Sequence, residues 1–196
     1  MTRTPSASKA PVRPSEARAR LLSTAARLFY SEGIRSVGVD RVIAEAEVTR
    51  GTFYRHFPGK EDLVRSYLEA TDQSIRERFA AAARLAADSS ELLRLLVDGI
   101  GQELCGPGFR GCPFINAAAE YGDPDNPVHQ AVLTHRAWFH ETLTEAFRDG
   151  GSPDPERAAD LMVALRDGAM VAGYLGDPEA ARRTLAHGTE TLIAAH

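Results

Sequence analysis

The sequence predicts an all-α protein with about nine helices, and three observations lead to this class. Apolar residues recur at i, i+3 and i+4 along nearly the whole chain of 196 residues, which is the spacing of helices with one buried face. No segment alternates apolar and polar residues over a useful length, as a half-buried strand would. Clusters of glycine and proline separate the periodic segments and supply breaks between helices.

Three short helices are predicted near the N-terminus. Residues 1–14 come before them and are rich in Pro, Ser, Ala and Arg without periodicity, so we predict a disordered basic tail there. Ser15 is the expected N-cap of the first helix, and Gly33 is its expected end. A second helix is predicted from a short apolar set: Val39, Val42, Ile43 and Ala46. A third helix begins near Thr49 and ends at Pro58-Gly59.

Six mostly longer helices are predicted in the rest of the chain. Their approximate ranges are 60–86, 89–104, 112–121, 126–149, 154–173 and 177–195. Turn-forming segments at 106–108, 123–127, 150–153 and 176–178 interrupt the helical period. This layout predicts a small helical module that the 60–86 helix joins to a larger bundle.

The composition excludes several classes of protein. A hydrophobic content of 43% and a charged content of 26% are ordinary for a globular protein. No run approaches the roughly 20 apolar residues that span a bilayer, and the N-terminal residues lack the apolar core of a secretory signal. Two cysteines are too few for a disulfide scaffold. We therefore expect a cytoplasmic protein that does not enter a membrane.

Charge is divided unevenly along the chain. Residues 1–60 contain eleven Lys and Arg against five Asp and Glu, a net charge of +6, although the whole chain carries −4. The remaining residues therefore carry −10. A basic segment in an acidic protein favours contact between that segment and a polyanion such as nucleic acid.

The third predicted helix has an apolar side and a polar side. Phe53 and Phe57 fall close together on a helical wheel and can anchor the helix to its two predecessors. A broad polar face is formed by Arg50, Gly51, Tyr54 and Arg55, and Thr52 and His56 flank it. A helix, a tight turn and a short basic helix form the outline of a helix-turn-helix.

The polar face suits the major groove of DNA. Arg50 can present a bidentate fork to guanine, and Thr52 can contact a thymine methyl group or a phosphate. Gly51 has no side chain and permits close approach of the backbone to the bases. Tyr54, His56 and Lys60 are donors suited to phosphate.

The segment VDRVIAEAEVTRGTFYRHFPGKEDL, residues 39–63, resembles the DNA-binding core of the TetR family of bacterial one-component regulators. The matching pieces are Val48-Thr49, Gly51-Thr52-Phe53-Tyr54, His56-Phe57 and Lys60-Glu61-x-Leu63. The resemblance implies a helix-turn-helix domain over 15–75, with the motif at about 38–57, and a ligand-binding and dimerisation domain over 76–196. The residues expected to contact DNA are Thr49, Arg50, Gly51, Thr52, Tyr54, Arg55, His56 and Lys60.

The function implied by this resemblance is that of a ligand-responsive transcriptional regulator. We expect a repressor that binds a palindromic operator in double-stranded DNA as a homodimer and is released by a small-molecule effector. No cofactor is expected. One residue departs from the family pattern, because Glu47 occupies a turn position that the family usually gives to glycine. If the turn requires positive φ, a side chain there costs about 1 kcal/mol.

Dimerisation through the last two helices is implied by the same resemblance. Small residues mixed with leucine would permit close packing there: Ala158, Leu161, Met162, Leu165, Ala169 and Gly173 on one helix, Ala181, Leu185, Gly188, Leu192 and Ile193 on the other. These stripes could instead close the core of a single chain.

Effector contacts are predicted from aromatic and polar residues that lie close together in the C-terminal half. The candidates are Phe114, Asn116, Tyr121, His135, Trp138 and Phe139. Ordinary core packing is the alternative for each of them.

Cys105 and Cys112 bracket a Gly-Pro-Gly loop and could form a disulfide. A thiol-based redox-sensing regulator is therefore an alternative, as are two inert buried thiols. Another alternative is a small helical enzyme that uses Cys112 with a histidine. The sequence lacks a nucleophile elbow and a phosphate-binding loop, so we expect no enzyme. We also expect no metal site, because no two of His129, His135 and His140 are at i, i+4 spacing.

Overall fold

Nine α-helices and no strands make up residues 15–195, the part of the chain that the computed structural model describes. The helices are α1 (Glu16–Glu32), α2 (Val39–Glu45), α3 (Arg50–His56), α4 (Lys60–Leu85), α5 (Ser89–Leu104), α6 (Pro113–Glu120), α7 (Pro127–Asp149), α8 (Pro155–Leu175) and α9 (Pro178–Ala194). The predicted fold class is confirmed, and each predicted helix is present. The predicted basic tail, residues 1–14, lies outside the described residues.

Local sequence signals account for most of the helix starts. Six helices begin after a residue whose side-chain oxygen accepts a backbone N–H of the first turn: Ser15, Thr49, Asp88, Asn126, Asp154 and Asp177. Four helices carry proline in the first turn, where its missing N–H costs nothing: Pro113, Pro127, Pro155 and Pro178.

The first three helices and the start of α4 share one apolar core. Leu21, Leu28, Val42, Phe53 and Leu63 are completely buried in it. α4 then continues without a break as a helix of 26 residues, about 39 Å long. It packs against α1 at its start and against α5 and α7 further along. The predicted domain boundary at 75/76 falls inside this continuous helix and remains a prediction.

The remaining helices form a C-terminal bundle. α9 packs against both α5 and α8, and α7 packs against α4, α6 and α8. Three glycines permit close approaches between helices. The closest is at Gly188 of α9, where a Cβ would lie 2.5 Å from Leu165 Cδ2 of α8. A Cβ at Gly101 of α5 would lie 2.7 Å from Arg182 Cγ of α9, and one at Gly173 of α8 would lie 2.8 Å from Leu104 Cδ2. A side chain at any of these positions would therefore force the facing side chain to shift.

The apolar stripes predicted on the last two helices face mainly into the chain. Six of the eleven residues are buried in the core: Ala158, Met162, Ala169, Gly173, Ala181 and Leu185. Leu161 of the same set is instead about half exposed. A different stripe on α8 is exposed: Leu161, Gly168, Ala172 and Leu175. Leu165 lies between them but is only partly exposed, because it packs against the core. The predicted stripe therefore mixed residues that close the chain with residues that remain open to a partner.

The turn between α2 and α3 contains the departure from the family pattern. Glu47 has φ 52, and it is the one non-glycine residue with positive φ among residues 15–195. Its backbone N–H donates to Ala44 O at 3.2 Å, which closes the turn after α2. The turn therefore holds Glu47 at positive φ, the condition under which a side chain at this position is unfavourable.

Replacing Glu47 by glycine should raise the free energy of unfolding by about 1 kcal/mol, because glycine adopts positive φ without the steric cost of a Cβ atom. Urea denaturation followed by circular dichroism measures this change. Ala44→Gly is the matched control, since it places glycine in an exposed position of α2 and should lower stability by about 1 kcal/mol. Equal destabilisation by both substitutions would contradict the strain at Glu47.

Candidate nucleic-acid interface and effector cavity

Helix α3 is held down by two buried rings. Phe53 and Phe57 are 0% and 1% exposed, and their ring centroids lie 5.9 Å apart. Tyr54 stands edge-on to Phe53 with centroids 5.1 Å apart, yet 51% of its surface is exposed. Arg50, Gly51 and Arg55 are exposed on the same helix. The structure therefore presents four of the predicted DNA-binding residues on the open side of α3.

The two threonines of the motif organise the start of α3. Thr49 Oγ1 accepts the backbone N–H of Thr52 at 3.1 Å, and the two hydroxyl oxygens lie 2.9 Å apart. Thr49 is thus the N-cap of α3. This arrangement fixes the first turn, from which Arg50 and Gly51 project.

Arg50 forms an ion pair with Asp40 of α2. Both side chains are mostly exposed, and ion pairs in such settings typically contribute only about 0–1 kcal/mol. The guanidinium can therefore exchange Asp40 for a base edge at little cost. The pair links the start of α3 to the first turn of α2.

His56 and Lys60 make their contacts within the protein. His56 Nε2 lies 2.9 Å from Ser15 Oγ, which joins the end of α3 to the start of α1. Lys60 Nζ donates to Arg35 O at 3.4 Å. Partial burial lowers the pKa of Lys60, and the Glu120 carboxylate opposes this shift. Their predicted contacts to phosphate remain predictions.

A cavity of about 120 Å³ lies in the C-terminal bundle where α4, α5, α7 and α8 meet. Two of the predicted ligand-binding residues, His135 and Phe139, line it. Sequence reasoning missed the other lining residues: Ile75, Arg78, Phe79, Ala82, Leu95, Leu96, Gly99, Ile100, Glu103 and Arg166. A signal for Arg166 was available, because it is a lone cation in the apolar run LMVALRDGAM.

The other four predicted ligand-binding residues divide into two groups. Phe114 stacks on His135 with centroids 3.7 Å apart, and Trp138 packs edge-on to Phe79 with centroids 6.1 Å apart, so both support the cavity walls. Asn116 instead lines a separate cleft of about 260 Å³ beside α1. Tyr121, the C-cap of α6, offers its backbone oxygen to His129 at 2.7 Å and lines neither space. The structure therefore does not bring Asn116 and Tyr121 to the cavity.

His135 links the cavity to α4. Its Nδ1 lies 2.7 Å from Asp72 Oδ1. Burial lowers the pKa of His135 and outweighs the opposing effect of Asp72. The imidazole is therefore neutral at pH 7, and its Nδ1–H donates to Asp72. Asp72 also accepts Arg76 Nε at 2.6 Å, so its carboxylate serves two partners.

Helix α6 is tied to the end of α1. The Glu120 carboxylate accepts the backbone N–H of Ile34 at 2.9 Å and that of Arg35 at 2.6 Å. Nearby, Tyr30 donates its hydroxyl to Gly111 O at 3.0 Å. Movement of α6 would therefore be transmitted directly to the N-terminal module.

Both cysteines are free thiols. Cys105 is exposed at the end of α5. Desolvation and a hydrogen bond to Glu179 raise its pKa, which lowers the population of reactive thiolate. Cys112 is buried at the start of α6, where it lies beside Arg166. The redox-sensing alternative remains an untested prediction.

Two kinds of feature are absent from residues 15–195. No helix there has the length and apolar character needed to cross a membrane. No group of three or more His, Cys, Asp or Glu is placed to hold a metal ion.

Comparison with known proteins extends the resemblance over most of the chain. Residues 21–67 match the family described as "Bacterial regulatory proteins, tetR family", and residues 93–187 match "Tetracyclin repressor-like, C-terminal domain". The chain is 30% identical to the HTH-type transcriptional regulator TtgR of Pseudomonas putida, over 78% of each chain. It is 29% identical to the HTH-type transcriptional regulator LmrA of Bacillus subtilis, over 80% of this chain and 85% of LmrA.

A solved structure agrees with these matches. SCO4454, a TetR-family transcriptional regulator from Streptomyces coelicolor, superposes with a TM-score of 0.89 and 50% identity. The superposition covers 92% of this chain and 97% of SCO4454. The protein belongs to the TetR family of bacterial helix-turn-helix transcriptional regulators.

Proposed function

We propose that this regulator is a homodimeric repressor that binds a palindromic operator in the bacterial cytoplasm and leaves it when a small molecule fills the C-terminal cavity. The observation that carries the proposal is the open face of α3, where Arg50, Gly51, Tyr54 and Arg55 are exposed while Phe53 is buried beneath them. A short helix held in this way can enter the major groove with its polar face toward the bases.

In this proposal, the exposed residues of α3 divide between base contacts and phosphate contacts. Arg50 leaves Asp40 and donates to guanine, and Gly51 permits close approach of the backbone. Tyr54 and Arg55 contact phosphates, which set the register of α3 on the duplex. Thr49 and Thr52 keep the first turn of α3 in place.

The outward stripe of α8 supports the dimer. Leu161 and Leu175 are 48% and 76% exposed and lie in one row along α8. A row of large exposed apolar side chains favours an interface that covers it. Beside them is a groove of about 430 Å³ between α8 and α9, lined largely by small residues such as Gly168 and Ala172. We infer that the same two helices of a second copy cover this face and form a two-fold, four-helix interface.

The route from effector to DNA runs along α4. Residues 75, 78, 79 and 82 of this helix line the cavity, whereas Leu63, Val64 and Leu68 are buried at its other end. A ligand that displaces α4 therefore moves the N-terminal module of each protomer. Effector and operator then oppose each other by a coupling free energy of typically about 1–3 kcal/mol.

An enzymatic function gains no support from the arrangement around Cys112. Among the described residues, its neighbours include Arg166, Tyr30 and Tyr67, and no histidine pairs with it.

The test is selection of DNA fragments of the source genome that bind the purified protein, followed by fluorescence anisotropy on the selected site. Arg50→Ala should lower affinity by about 1–3 kcal/mol per half-site. A dimer carries two copies, so the loss should be about 30-fold or more. Arg84→Ala, an exposed arginine near the far end of α4, is the matched control and should bind normally. Failure to enrich any fragment, or unchanged affinity in Arg50→Ala, would refute the proposal.

A further inference from the structure

Arg166 is a buried cation in the wall of the cavity. It lies in the middle of α8, 9% of its surface is exposed, and its guanidinium carbon is 5.8 Å from the centre of the Phe139 ring. Burial of a guanidinium is costly unless charges and hydrogen bonds compensate it. The partners of Arg166 therefore indicate whether the protein alone balances its charge and its hydrogen-bond donors.

The protein compensates the buried charge of Arg166 only in part. Its Nη1 donates to Asp167 Oδ1 at 3.0 Å, but Asp167 Oδ2 also accepts Arg136 Nη1 at 2.8 Å. One carboxylate thus serves two guanidiniums. The thiol of Cys112 also lies within hydrogen-bond reach of Arg166. A guanidinium has five N–H donors, and these partners do not use all of them.

The other ionisable groups around the cavity do not supply the missing negative charge. Arg76 is paired with Asp72, and Arg78 lies 3.8 Å from Glu103. His135 is neutral at pH 7, because burial lowers its pKa. With Arg136 and Asp167 included, the cavity and its immediate surroundings retain one uncompensated positive charge.

The remaining walls are apolar and limit the size of the ligand. Ile75, Phe79, Leu96, Ile100 and Phe139 face a space of about 120 Å³. An apolar cavity of roughly 150 Å³ accommodates benzene. The present space is somewhat smaller, so a single aromatic ring or a short aliphatic chain with a charged group near Arg166 enters only if the side chains that line the cavity shift outward.

We propose that the ligand of this cavity is a small aromatic or short-chain carboxylic acid, and that Arg166 binds its carboxylate. This inference rests on the proposed function in that it names the effector class of the cavity. The free donors of Arg166 form a fork that matches a carboxylate, while the apolar body of the acid contacts Phe79 and Phe139. The ligand then supplies the negative charge that the cavity lacks.

Isothermal titration calorimetry with benzoate and its uncharged analogue benzamide tests this assignment, and hexanoate serves as a chain-shaped probe. The wild-type protein should bind benzoate or hexanoate at least about ten-fold more tightly than benzamide, since charge-assisted bonds are roughly twice as strong as neutral ones. Arg166→Met, which keeps the bulk of the side chain, should lose this preference. Arg94→Met, at a surface pair with Glu190, is the matched control and should retain it.

A second variant should strengthen benzoate binding instead of weakening it, so its effect cannot be attributed to a damaged cavity. Asp167→Asn removes the internal competitor for Arg166 and should tighten benzoate binding several-fold.

Thermal melts verify that each variant is folded. Equal binding of benzoate and benzamide by the wild type, binding of neither acid, or a charge preference that persists in Arg166→Met would overturn the inference. Operator binding is measured separately. Acid binding through Arg166 without any effect on the operator would refute the proposed function alone, whereas release by an uncharged molecule would refute the inference alone.

Discussion

Replacing Phe53 by alanine should lower the free energy of unfolding by about 3–5 kcal/mol, which is the usual cost of removing a buried phenylalanine ring. Phe53 is completely buried and packs on Phe57 and Tyr54. The core that it shares with α1, α2 and the start of α4 is small, so few other contacts can compensate. Urea denaturation followed by circular dichroism measures the loss.

Two neighbouring substitutions separate packing from DNA contact. Phe53→Leu keeps most of the buried volume and should cost less than about 1.5 kcal/mol. Tyr54→Ala removes a half-exposed ring from the same helix, so it should weaken operator binding while leaving stability nearly unchanged. If Phe53→Ala and Tyr54→Ala unfolded at the same urea concentration, α3 would not be anchored as described.

The division of α3 into two sides was predictable because it depends on sequence neighbours alone. Phe53 and Phe57 are one helical turn apart, and their burial follows from the period of the helix. The N-cap at Ser15 was equally predictable, since capping depends on residues within one turn. For the third helix the sequence predicted a start near Thr49, and the structure shows that Thr49 is its N-cap. The strained conformation of Glu47 was anticipated in another way, from the glycine that the family usually has at this turn position.

The cavity could not be predicted in the same way. Its walls come from four helices, and residues such as Phe79, Leu96 and Arg166 meet only when these helices pack. Sequence reasoning instead selected aromatic and polar residues that lie near one another along the chain, which included Asn116 and Tyr121. Proximity in sequence is a poor guide to a site built by long-range packing.

The face of α8 shows a different limit of sequence reasoning. Two apolar stripes run along this helix, one through Met162 and Ala169 and another through Leu161, Gly168 and Leu175. Both have helical spacing, so the period alone cannot tell which one faces the chain. The structure separates them, because the first stripe is buried and the second remains exposed.

Charging the exposed stripe should therefore dissociate the dimer without unfolding the chain. Leu161→Glu and Leu175→Glu together place two carboxylates on each protomer, and burial of unpaired charge in the interface is strongly unfavourable. A monomer contacts one half-site and loses the benefit of the second, so operator affinity should fall by about 10²–10⁴-fold. Sedimentation velocity measures the oligomeric state, and fluorescence anisotropy on the selected operator measures the affinity.

Leu85→Glu is the matched control for this pair. Leu85 is also a largely exposed leucine, but it lies at the end of α4 and outside the α8–α9 face. It should leave both the dimer and operator binding intact, which would exclude a general effect of added negative charge on association with DNA. If the doubly charged variant sedimented as a dimer and bound the operator normally, the two-fold interface would have to lie on another face of the bundle.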